Sequence, residues 1–347
     1  MSSRKVNLYA VMLIALTACT KQNITPATES VSAETVNSSQ QWWPFPNKNG
    51  GDGNSGQETA FGLTQEQYAG ETPQQLIDET QERMNEAGVN LTRVQISLSE
   101  GPVNKAIDAY LEDGNDVQIL VNWDDAKNGK RDFPTDKEIN SLKSRAEAFF
   151  QYYAPYKDQI PFVAIENEWD WQVMHGSNLQ DYLDELAIIT NIGHQYGFKI
   201  ADGGITSTSL KRWTYSQLTG EEQQEWLDKY WVGLESGYKY YDYNDLMNIV
   251  NTYIAGVKNI NLDYSNVHWY NESECGNGFA TAAAAFLTAC NKNVVVCNEF
   301  YISTNSLYLF SSTVDEIRSY AKYAVAYSGN DKDELAIRLT DAMLDEF

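Results

Sequence analysis

The chain has 347 residues, 42% of them hydrophobic, so it is long enough to bury a large core. Its formal net charge of −23 argues against a nucleic-acid partner, because the phosphates would be repelled. It has only three histidines, at positions 175, 194 and 268, so a metal centre built on several imidazoles is not expected.

The first 19 residues have the pattern of an export signal. Arg4 and Lys5 give a basic start, and the apolar run Val11–Leu16 is too short to span a bilayer as a helix. Residues 16–19, LTAC, resemble a bacterial lipobox. That resemblance implies cleavage before Cys19, lipidation of its sulfur, and an exported protein anchored to a bacterial membrane, at the outer membrane or cell surface. An ordinary signal peptide with an incidental cysteine is the alternative.

Residues 20–56 are rich in Ser, Thr, Asn, Gln and Gly, which predicts a flexible tether. A G-x-G-x-x-G match at residues 51–56 has no strand before it and no helix after it, so no dinucleotide cofactor is predicted. Residues 57–347 are expected to form one domain, since α/β barrels often run to about 250 residues as a single unit.

In this domain, apolar strand-like runs alternate with helical patterns. Thr72 is predicted to cap the first helix, with Pro73 at its first position and Gly88 at its end. Predicted strands lie at 59–63, 91–98, 117–124, 199–207, 265–273, 293–301 and 323–329, with the run FVAIENEWDW at 162–171 as the fourth. Predicted helices lie at 72–87, 103–112, 136–154, 179–194, 245–257, 278–287, 313–322 and 331–347, and residues 208–244 are expected to form an insertion. This alternation favours parallel strands with crossover helices, and their number favours a (β/α)₈ TIM barrel.

Active sites of such barrels form at the C-terminal ends of the strands. Two of the apolar runs end in the same pair of residue types, Asn167-Glu168 and Asn298-Glu299, which are therefore expected at this end of the barrel. A carboxylate in a barrel mouth is costly unless it is paired or used. Two opposed carboxylates suit glycoside hydrolysis, in which one protonates the departing oxygen while the other attacks the anomeric carbon or activates water. Strand periodicity predicts two sets of residues that each share one side: Val295, Cys297 and Glu299, and Phe162, Ala164, Glu166 and Glu168.

The layout resembles clan A of the glycoside hydrolases, which are retaining enzymes on (β/α)₈ barrels. The resemblance implies that Glu168, after Asn167 at the end of the fourth strand, is the acid/base, and that Glu299 on the seventh strand is the nucleophile. It also implies that Asn167 binds the sugar 2-hydroxyl. Residues 85–98, NEAGVNLTRVQISL, are similar to the approach to the clan's second strand, which places Arg93 where an Arg supports the nucleophile.

Two further stretches carry the resemblance. Residues 267–271, VHWYN, resemble the sixth strand, which implies that His268 or Tyr270 contacts the nucleophile. Residues 324–331, AVAYSGND, resemble the eighth strand, where Ala326 stands in place of the usual Trp under the sugar.

Several of these residues also allow another interpretation. Glu166 could be the acid/base in place of Glu168, although no Asn precedes it. Arg93 could have a structural role and pair with another acid across the barrel. His268 could be a core histidine, and Tyr270 could serve packing alone. Four tryptophans follow strand ends; each alone suits packing, but together they predict a cleft where sugar rings stack on aromatic faces. They are Trp123, Trp169, Trp171 and Trp269.

The sequence therefore predicts a membrane-tethered retaining glycoside hydrolase that cleaves a poly- or oligosaccharide by double displacement. Glu299 attacks, Glu168 supplies and later removes a proton, and Arg93 with Tyr270 keeps Glu299 ionised. No metal or organic cofactor is required, and the two carboxyl groups should lie about 5–5.5 Å apart. The alternative is a non-catalytic glycan-binding surface lipoprotein on a degenerate barrel, which the Ala at position 326 favours.

Overall fold

The computed structural model describes residues 59–64, 72–124, 132–230, 242–271, 278–302, 306–327 and 339–347. The predicted export signal with Cys19 and the predicted tether lie outside the described residues. In the described part of the chain, no helix is both long and apolar enough to cross a membrane.

Eight parallel strands form one ring. In chain order they are β1 Ala60–Thr64, β2 Leu91–Ser97, β3 Asp116–Asn122, β4 Val163–Ile165, β5 Ile200–Asp202, β6 Ser265–Asn271, β7 Val295–Ile302 and β8 Tyr323–Ala326. Hydrogen bonding runs in the order β5-β4-β3-β2-β1-β8-β7-β6. Two isolated parallel bridges, Ala201 with Tyr264 and Ile205 with Val267, join the β5 and β6 segments and bring the ring to closure. The predicted (β/α)₈ barrel is confirmed.

Helices alternate with the strands. In chain order they are α1 Pro73–Glu86, α2 Lys105–Glu112, α3 Ile139–Tyr153, α4 Trp169–Met174, α5 Leu179–Gln195, α6 Ser207–Gln217, α7 Gly220–Lys229, α8 Tyr243–Val257, α9 Phe279–Cys290, α10 Leu307–Arg318 and α11 Asp341–Leu344. The predicted start of α1 is confirmed, because the Thr72 hydroxyl accepts the Gln75 N–H and the Gln75 side chain accepts the Thr72 N–H. This reciprocal capping box satisfies two amides that a helix start otherwise leaves without partners.

Four helices differ from the sequence prediction. The expected insertion at 208–244 contains α6 and α7, and Thr206 caps α6 by accepting the Ser209 N–H. Helix α10 begins at Leu307 instead of near residue 313, with Ser306 as its cap. Helix α4 was not predicted; it starts at once after Glu168 because the β4 backbone turns there.

The core has two layers, which the strand alternation separates. Six residues from neighbouring strands meet inside the ring: Leu120, Phe162, Ala164, Ala201, Tyr264 and Val296. Their sequence neighbours, such as Val163, Ile165 and Val295, belong instead to the larger core shared with the helices. Cys290 and Cys297 are buried free thiols in that outer layer. The ring is thus filled by side chains at one end, and polar groups follow toward the other.

Candidate active site

Two carboxylates from distant parts of the chain meet at the C-terminal end of the ring. The Tyr270 hydroxyl on β6 lies 2.5 Å from Glu168 Oε1 and 2.9 Å from Glu299 Oε1. An oxygen of each carboxylate and one nitrogen of His268 all lie within 4.8 Å of one another. Glu168 is 22% exposed and Glu299 is 15% exposed, so both reach the surface of a largely buried cluster.

An irregularity in β7 delivers Glu299 to this cluster. On the β6 side, Asn266 pairs with Val296 and His268 pairs with Glu299. Between these two pairs, β7 advances by three residues while β6 advances by two. The β8 side shows the same excess, with Cys297 opposite Ala324 and Phe300 opposite Ala326. One extra residue on β7 is the pattern of a β-bulge, which re-aims the side chains that follow.

The bulge corrects the strand-period prediction for β7. Val295 and Cys297 face the helices as part of the outer core, whereas Glu299 reaches Tyr270, which is on the inner side of β6. The prediction that all three share one side is therefore wrong. Had the alternation continued, Glu299 would have joined Cys297 among the helices, where no partner of the active-site cluster could reach it.

The backbone turns sharply at the end of β4. Glu166 and Glu168 have φ values of 65° and 51°, in the left-handed region, where a non-glycine residue costs about 1–3 kcal/mol. The Glu166 N–H donates to Val121 O at 2.7 Å, and the Glu168 N–H donates to Gly203 O at 2.9 Å. A Cβ on Gly203 would lie only 2.5 Å from Glu166 O, so a larger residue there would push this turn away. The predicted shared side of Glu166 and Glu168 with Ala164 ends with the strand at Ile165.

Glu166 is part of the scaffold. Its carboxylate is 1% exposed and accepts the Trp123 N–H at 2.6 Å and the Gln172 side-chain N–H at 3.2 Å. These bonds tie the end of β4 to the segment after β3 and to α4. The alternative in which Glu166 acts as the acid/base is therefore disfavoured, because the carboxylate is buried and each of its oxygens already accepts a hydrogen bond.

Arg93 on β2 connects the two Asn-Glu pairs. One terminal nitrogen lies 2.5 Å from Glu299 Oε2, and the other donates to Asn167 Oδ1 at 2.7 Å. Burial raises the pKa of Glu299, but the Arg93 charge, followed by His268 and the hydrogen bonds of Arg93 and Tyr270, outweighs it and leaves this pKa below its ordinary value. Glu299 is therefore held ionised. The geometry joins Arg93 to both Glu299 and the predicted sugar-binding amide.

His268 and Tyr270 are both part of the cluster. His268 Nδ1 lies 3.1 Å from Glu168 Oε1 and 2.9 Å from the Tyr270 hydroxyl. Burial lowers the pKa of His268, but Glu168 and Glu299 outweigh burial and raise it above its ordinary value. Burial, with Glu168 and Glu299 beside it, raises the pKa of Tyr270 well above its ordinary value, so the hydroxyl keeps its proton.

Three of the predicted stacking tryptophans are packing residues. Trp169 is 0% exposed and stacks on Tyr253 with ring centres 3.9 Å apart. Trp269 is 1% exposed, with Lys211 Nζ 5.0 Å from its ring centre. Trp123 is 6% exposed and lies under the Arg145 guanidinium. A sugar needs an open aromatic face, so this burial corrects the stacking role predicted for these three.

Trp171 differs from the other three, since it is 38% exposed. It lies four residues before His175, so these two side chains share one face of α4. The Trp171 and His175 rings are 4.2 Å apart and tilted by 36°. The two rings form an exposed aromatic surface on α4, a helix that begins directly after Glu168.

A row of tyrosines lies on the other side of the cluster and was not predicted. Tyr270 stacks on Tyr301 with ring centres 4.3 Å apart, and Tyr301 approaches Tyr327 at 6.0 Å. These rings come from β6, β7 and the residue just after β8. Ala326 itself is fully buried, whereas Tyr327 is half-buried. Only the assembled ring could reveal this row, because the three positions are far apart in sequence.

Glu168, His268 and Glu299 are the one group among the described residues whose ligand atoms are close enough to hold a metal ion. The surrounding contacts fit a hydrogen-bonded cluster better than a cation site. The Arg93 guanidinium already neutralises Glu299, and the Tyr270 hydroxyl lies between the two carboxylates. A divalent cation there would have to displace one contact and tolerate the adjacent positive charge.

Neither a protein-family model nor a curated protein matches the chain. Among solved structures, it is similar to a family 39 glycoside hydrolase from the gut symbiont Bacteroides cellulosilyticus WH2, with a TM-score of 0.51 and 11% identity over 84% of this chain and 62% of that one. A glucosidase from Croceicoccus marinus has a TM-score of 0.49 and 10% identity, over 80% of this chain and 61% of that one. A family 30 endoxylanase from Clostridium papyrosolvens C71 has a TM-score of 0.47 and 9% identity, over 83% and 71%. The chain thus spans about three-fifths of the first two proteins. At this identity the first likeness bears on the fold alone, which is a (β/α)₈ barrel.

Proposed function

We propose that the chain is a retaining glycoside hydrolase that acts on a poly- or oligosaccharide. The observation that carries the proposal is the pair Glu168 and Glu299, bridged by the Tyr270 hydroxyl and with carboxylate oxygens within 4.8 Å. Retaining enzymes hold their two carboxyl groups about 5–5.5 Å apart, and inverting enzymes hold them about 6.5–9.5 Å apart to admit a water. The shared contact with the Tyr270 hydroxyl keeps the two carboxylates close together, which supports direct attack by one of them.

The environments of the two acids favour a division of roles. Arg93 keeps Glu299 ionised, so Glu299 attacks the anomeric carbon and forms the glycosyl ester. As the glycosidic C–O bond breaks, Glu168 gives its proton to the departing oxygen. In the second step, Glu168 takes a proton from water, the water oxygen bonds to the anomeric carbon, and the Glu299 ester bond breaks. Asn167, whose side-chain oxygen accepts a hydrogen bond from Arg93, binds a sugar hydroxyl beside the reacting carbon.

Two aromatic surfaces support a carbohydrate substrate. Trp171 and His175 lie on the helix that begins directly after Glu168, the residue that protonates the leaving group, so they suit the sugar that departs. Tyr301 and Tyr327 extend from Tyr270 on the side of Glu299, so they suit the sugar that becomes attached. Aromatic faces match the C–H faces of pyranose rings, and polar groups between them fix orientation.

A mechanism-based label tests the proposal. The full-length chain is incubated with a panel of 2-deoxy-2-fluoro glycosides that carry a good leaving group, and its peptides are then mapped by mass spectrometry. We expect one sugar per chain, attached to Glu299. A label on Glu168 would reverse the roles, and hydrolysis with inversion of the anomeric configuration would overturn the retaining mechanism. Glycan binding without any release of reducing sugar from a polysaccharide panel would favour the non-catalytic alternative.

We also propose that the protein is exported and anchored to a bacterial membrane through a lipid on Cys19. The support is the basic start, the short apolar run and the LTAC sequence at residues 16–19. Labelling of cells with a palmitate analogue should mark the wild-type protein but not the Cys19→Ser variant. Equal labelling of both would contradict the anchor, and it would leave the proposed enzymatic function untouched.

A further inference from the structure

A buried pair of amides lies directly beneath the two acids. The Asn266 side chain faces two backbone groups: its Nδ2 donates to Asp202 O at 3.2 Å, and its Oδ1 accepts the Asn298 N–H at 3.1 Å. A carbonyl oxygen can only accept and a backbone N–H can only donate. The orientation of the Asn266 amide is therefore dictated by the backbone of β5 and β7 and does not depend on how its N and O atoms are assigned.

The orientation of the Asn266 amide in turn fixes the orientation of the Asn298 side-chain amide. Asn266 Nδ2 also donates to the Asn298 side chain at 2.7 Å, so the atom that receives it must be the Asn298 oxygen. The same oxygen lies 2.9 Å from His268 Nε2. Since an amide oxygen only accepts, Nε2 must carry a hydrogen. Asn266, His268 and Asn298 are each 0% exposed, so water has no access to this ring edge.

The other ring nitrogen is therefore the one that changes protonation. Nδ1 faces Glu168 Oε1 at 3.1 Å and the Tyr270 hydroxyl at 2.9 Å. Tyr270 has a single proton, yet its oxygen also lies within hydrogen-bond distance of Glu299. A second proton is needed to satisfy the contact between His268 and Glu168, and it can sit on either of these two residues.

We propose that His268, locked by Asn298 and Asn266 with its hydrogen on Nε2, shares the catalytic proton of Glu168 through Nδ1. Asn298 is then a positioning residue, although it belongs to a pair that reads like Asn167-Glu168. In the free enzyme the proton lies between Nδ1 and Glu168. It leaves to the departing oxygen in the first step, and the attacking water returns it in the second. The catalytic part of this inference rests on the proposed glycosidase function; the ring protonation does not.

The close packing around the imidazole supports the lock. Gly204 has a φ of 82°, and a Cβ at this position would lie 2.5 Å from His268 Nε2. The imidazole therefore packs directly against the backbone after β5, in the space that a side chain at this position would fill. The charged or titratable groups that bear on it are Glu168, Glu299, Tyr270 and Arg93, and Asp202 lies beyond Asn266. Burial raises the pKa of Asp202 to about 6, so its titration has to be separated from that of His268.

Nuclear magnetic resonance can measure directly which nitrogen of the His268 ring carries a hydrogen. The full-length chain is labelled with ¹⁵N-histidine, and two-bond ¹H–¹⁵N spectra are recorded as the pH is varied. The chain has only three histidines, so His175→Gln and His194→Gln variants identify the His268 signals by elimination. We expect Nε2 to stay protonated throughout and Nδ1 alone to titrate, also in an Asp202→Asn variant. A neutral form with the hydrogen on Nδ1 would overturn the inference, whether or not the protein hydrolyses glycosides.

Matched substitutions at the two asparagines test the catalytic part. Asn298→Asp places a carboxylate beside Nε2, which favours the imidazolium, so the His268 midpoint and the basic limb of kcat/KM should both move to higher pH. Asn167→Asp adds the same charge beside Arg93 and should lower kcat/KM with a smaller movement of the His268 midpoint. If the basic limb of Asn298→Asp stayed in place while the His268 midpoint moved, proton sharing would be ruled out. Absence of hydrolysis in every protein, with Nδ1 titrating as expected, would instead refute the proposed function and the proton sharing, and leave the tautomer lock supported.

Discussion

The ends of β4 and β7 have the same two letters, Asn-Glu, and use them differently. At β4 the strand has already ended, and Glu168 enters the mouth from a left-handed turn that leaves Asn167 half-buried beside Arg93. At β7 the strand continues through a bulge, so Asn298 is fully buried under His268 while Glu299 reaches Arg93. The comparison shows that a dipeptide at a strand end does not fix the role of its amide. The local backbone decides which side chain faces the cleft.

The largest expected effect comes from matched substitutions of the two acids. Glu299→Gln should lower kcat/KM by about 10⁴-fold or more, because no nucleophile remains. Glu168→Gln should cost about 10²–10⁴-fold, and much less with substrates whose leaving group needs no proton. Steady-state kinetics with an activated and an unactivated glycoside measures both. Equal losses on the two substrates for Glu168→Gln would contradict its role as the acid.

Stability should separate the two asparagines. Asn298→Ala removes the acceptor of His268 Nε2–H and of Asn266 Nδ2, and each buried donor left without a partner costs about 1–3 kcal/mol in the free energy of unfolding. Asn167→Ala should change that free energy by about 1 kcal/mol or less, since its site is partly open to water. Urea unfolding of the two variants provides the comparison. A similar loss in both would mean that the two amides have equivalent environments.

Catalytic activity should distinguish the two asparagines in the opposite way, because Asn167 is the one proposed to contact the sugar. We expect Asn167→Ala to lower kcat/KM by about 10–100-fold, the worth of a hydrogen bond that strengthens as charge develops on the sugar. The control is the same substrate without its 2-hydroxyl. On that analogue the variant and the wild type should be nearly equal, and a full-sized loss there would show that Asn167 acts elsewhere.

The pH dependence of kcat/KM tests the role of the Arg93 charge, which contacts Asn167 after β4 and Glu299 on β7. Arg93→Met removes the cation that opposes burial, so the pKa of Glu299 should rise and the acid limb of kcat/KM should move to higher pH. In the wild type, the depressed pKa of Glu299 contributes stability above its unfolded value, and this contribution is lost as the pH falls through the folded value. Arg93→Lys keeps the charge but cannot bond Asn167 and Glu299 with one planar group, so its acid limb should move less. An acid limb that is the same in all three proteins would belong to another group.

The smallest expected effect concerns Trp171 on α4, the helix that follows β4. Trp171→Ala should raise KM for a long oligosaccharide by up to about tenfold, because one aromatic contact is worth about 0.5–1.5 kcal/mol. A substrate with a small leaving group should show no change, since it does not reach α4. Trp169→Ala, two residues earlier, serves as the contrast, because loss of its buried ring should cost about 3–5 kcal/mol of stability. An equal rise in KM for both substrates would place Trp171 outside the leaving-group side.

Much of the barrel was readable from the sequence because its signals are local. The capping box at Thr72, the apolar strand runs and the helix periodicity each depend on residues a few positions apart. Helix α4 was missed because it follows two residues in the left-handed region, for which Glu166 and Glu168 give no local signal. A position after a strand end predicts that each tryptophan lines a cleft, but its burial depends on which distant residues pack against it.

By itself, the sequence determined the alternation of strands and helices and the positions of Glu168 and Glu299, since apolar periodicity and polar strand ends depend on local order alone. Only the tertiary structure decided which side of β7 Glu299 faces, which of the two amides is half-buried beside Arg93, and which groups lie against the two nitrogens of His268. These depend on a bulge measured against two neighbouring strands and on hydrogen bonds between residues about a hundred or fewer positions apart. Such contacts come together when the ring closes, because parallel strands bring distant segments side by side.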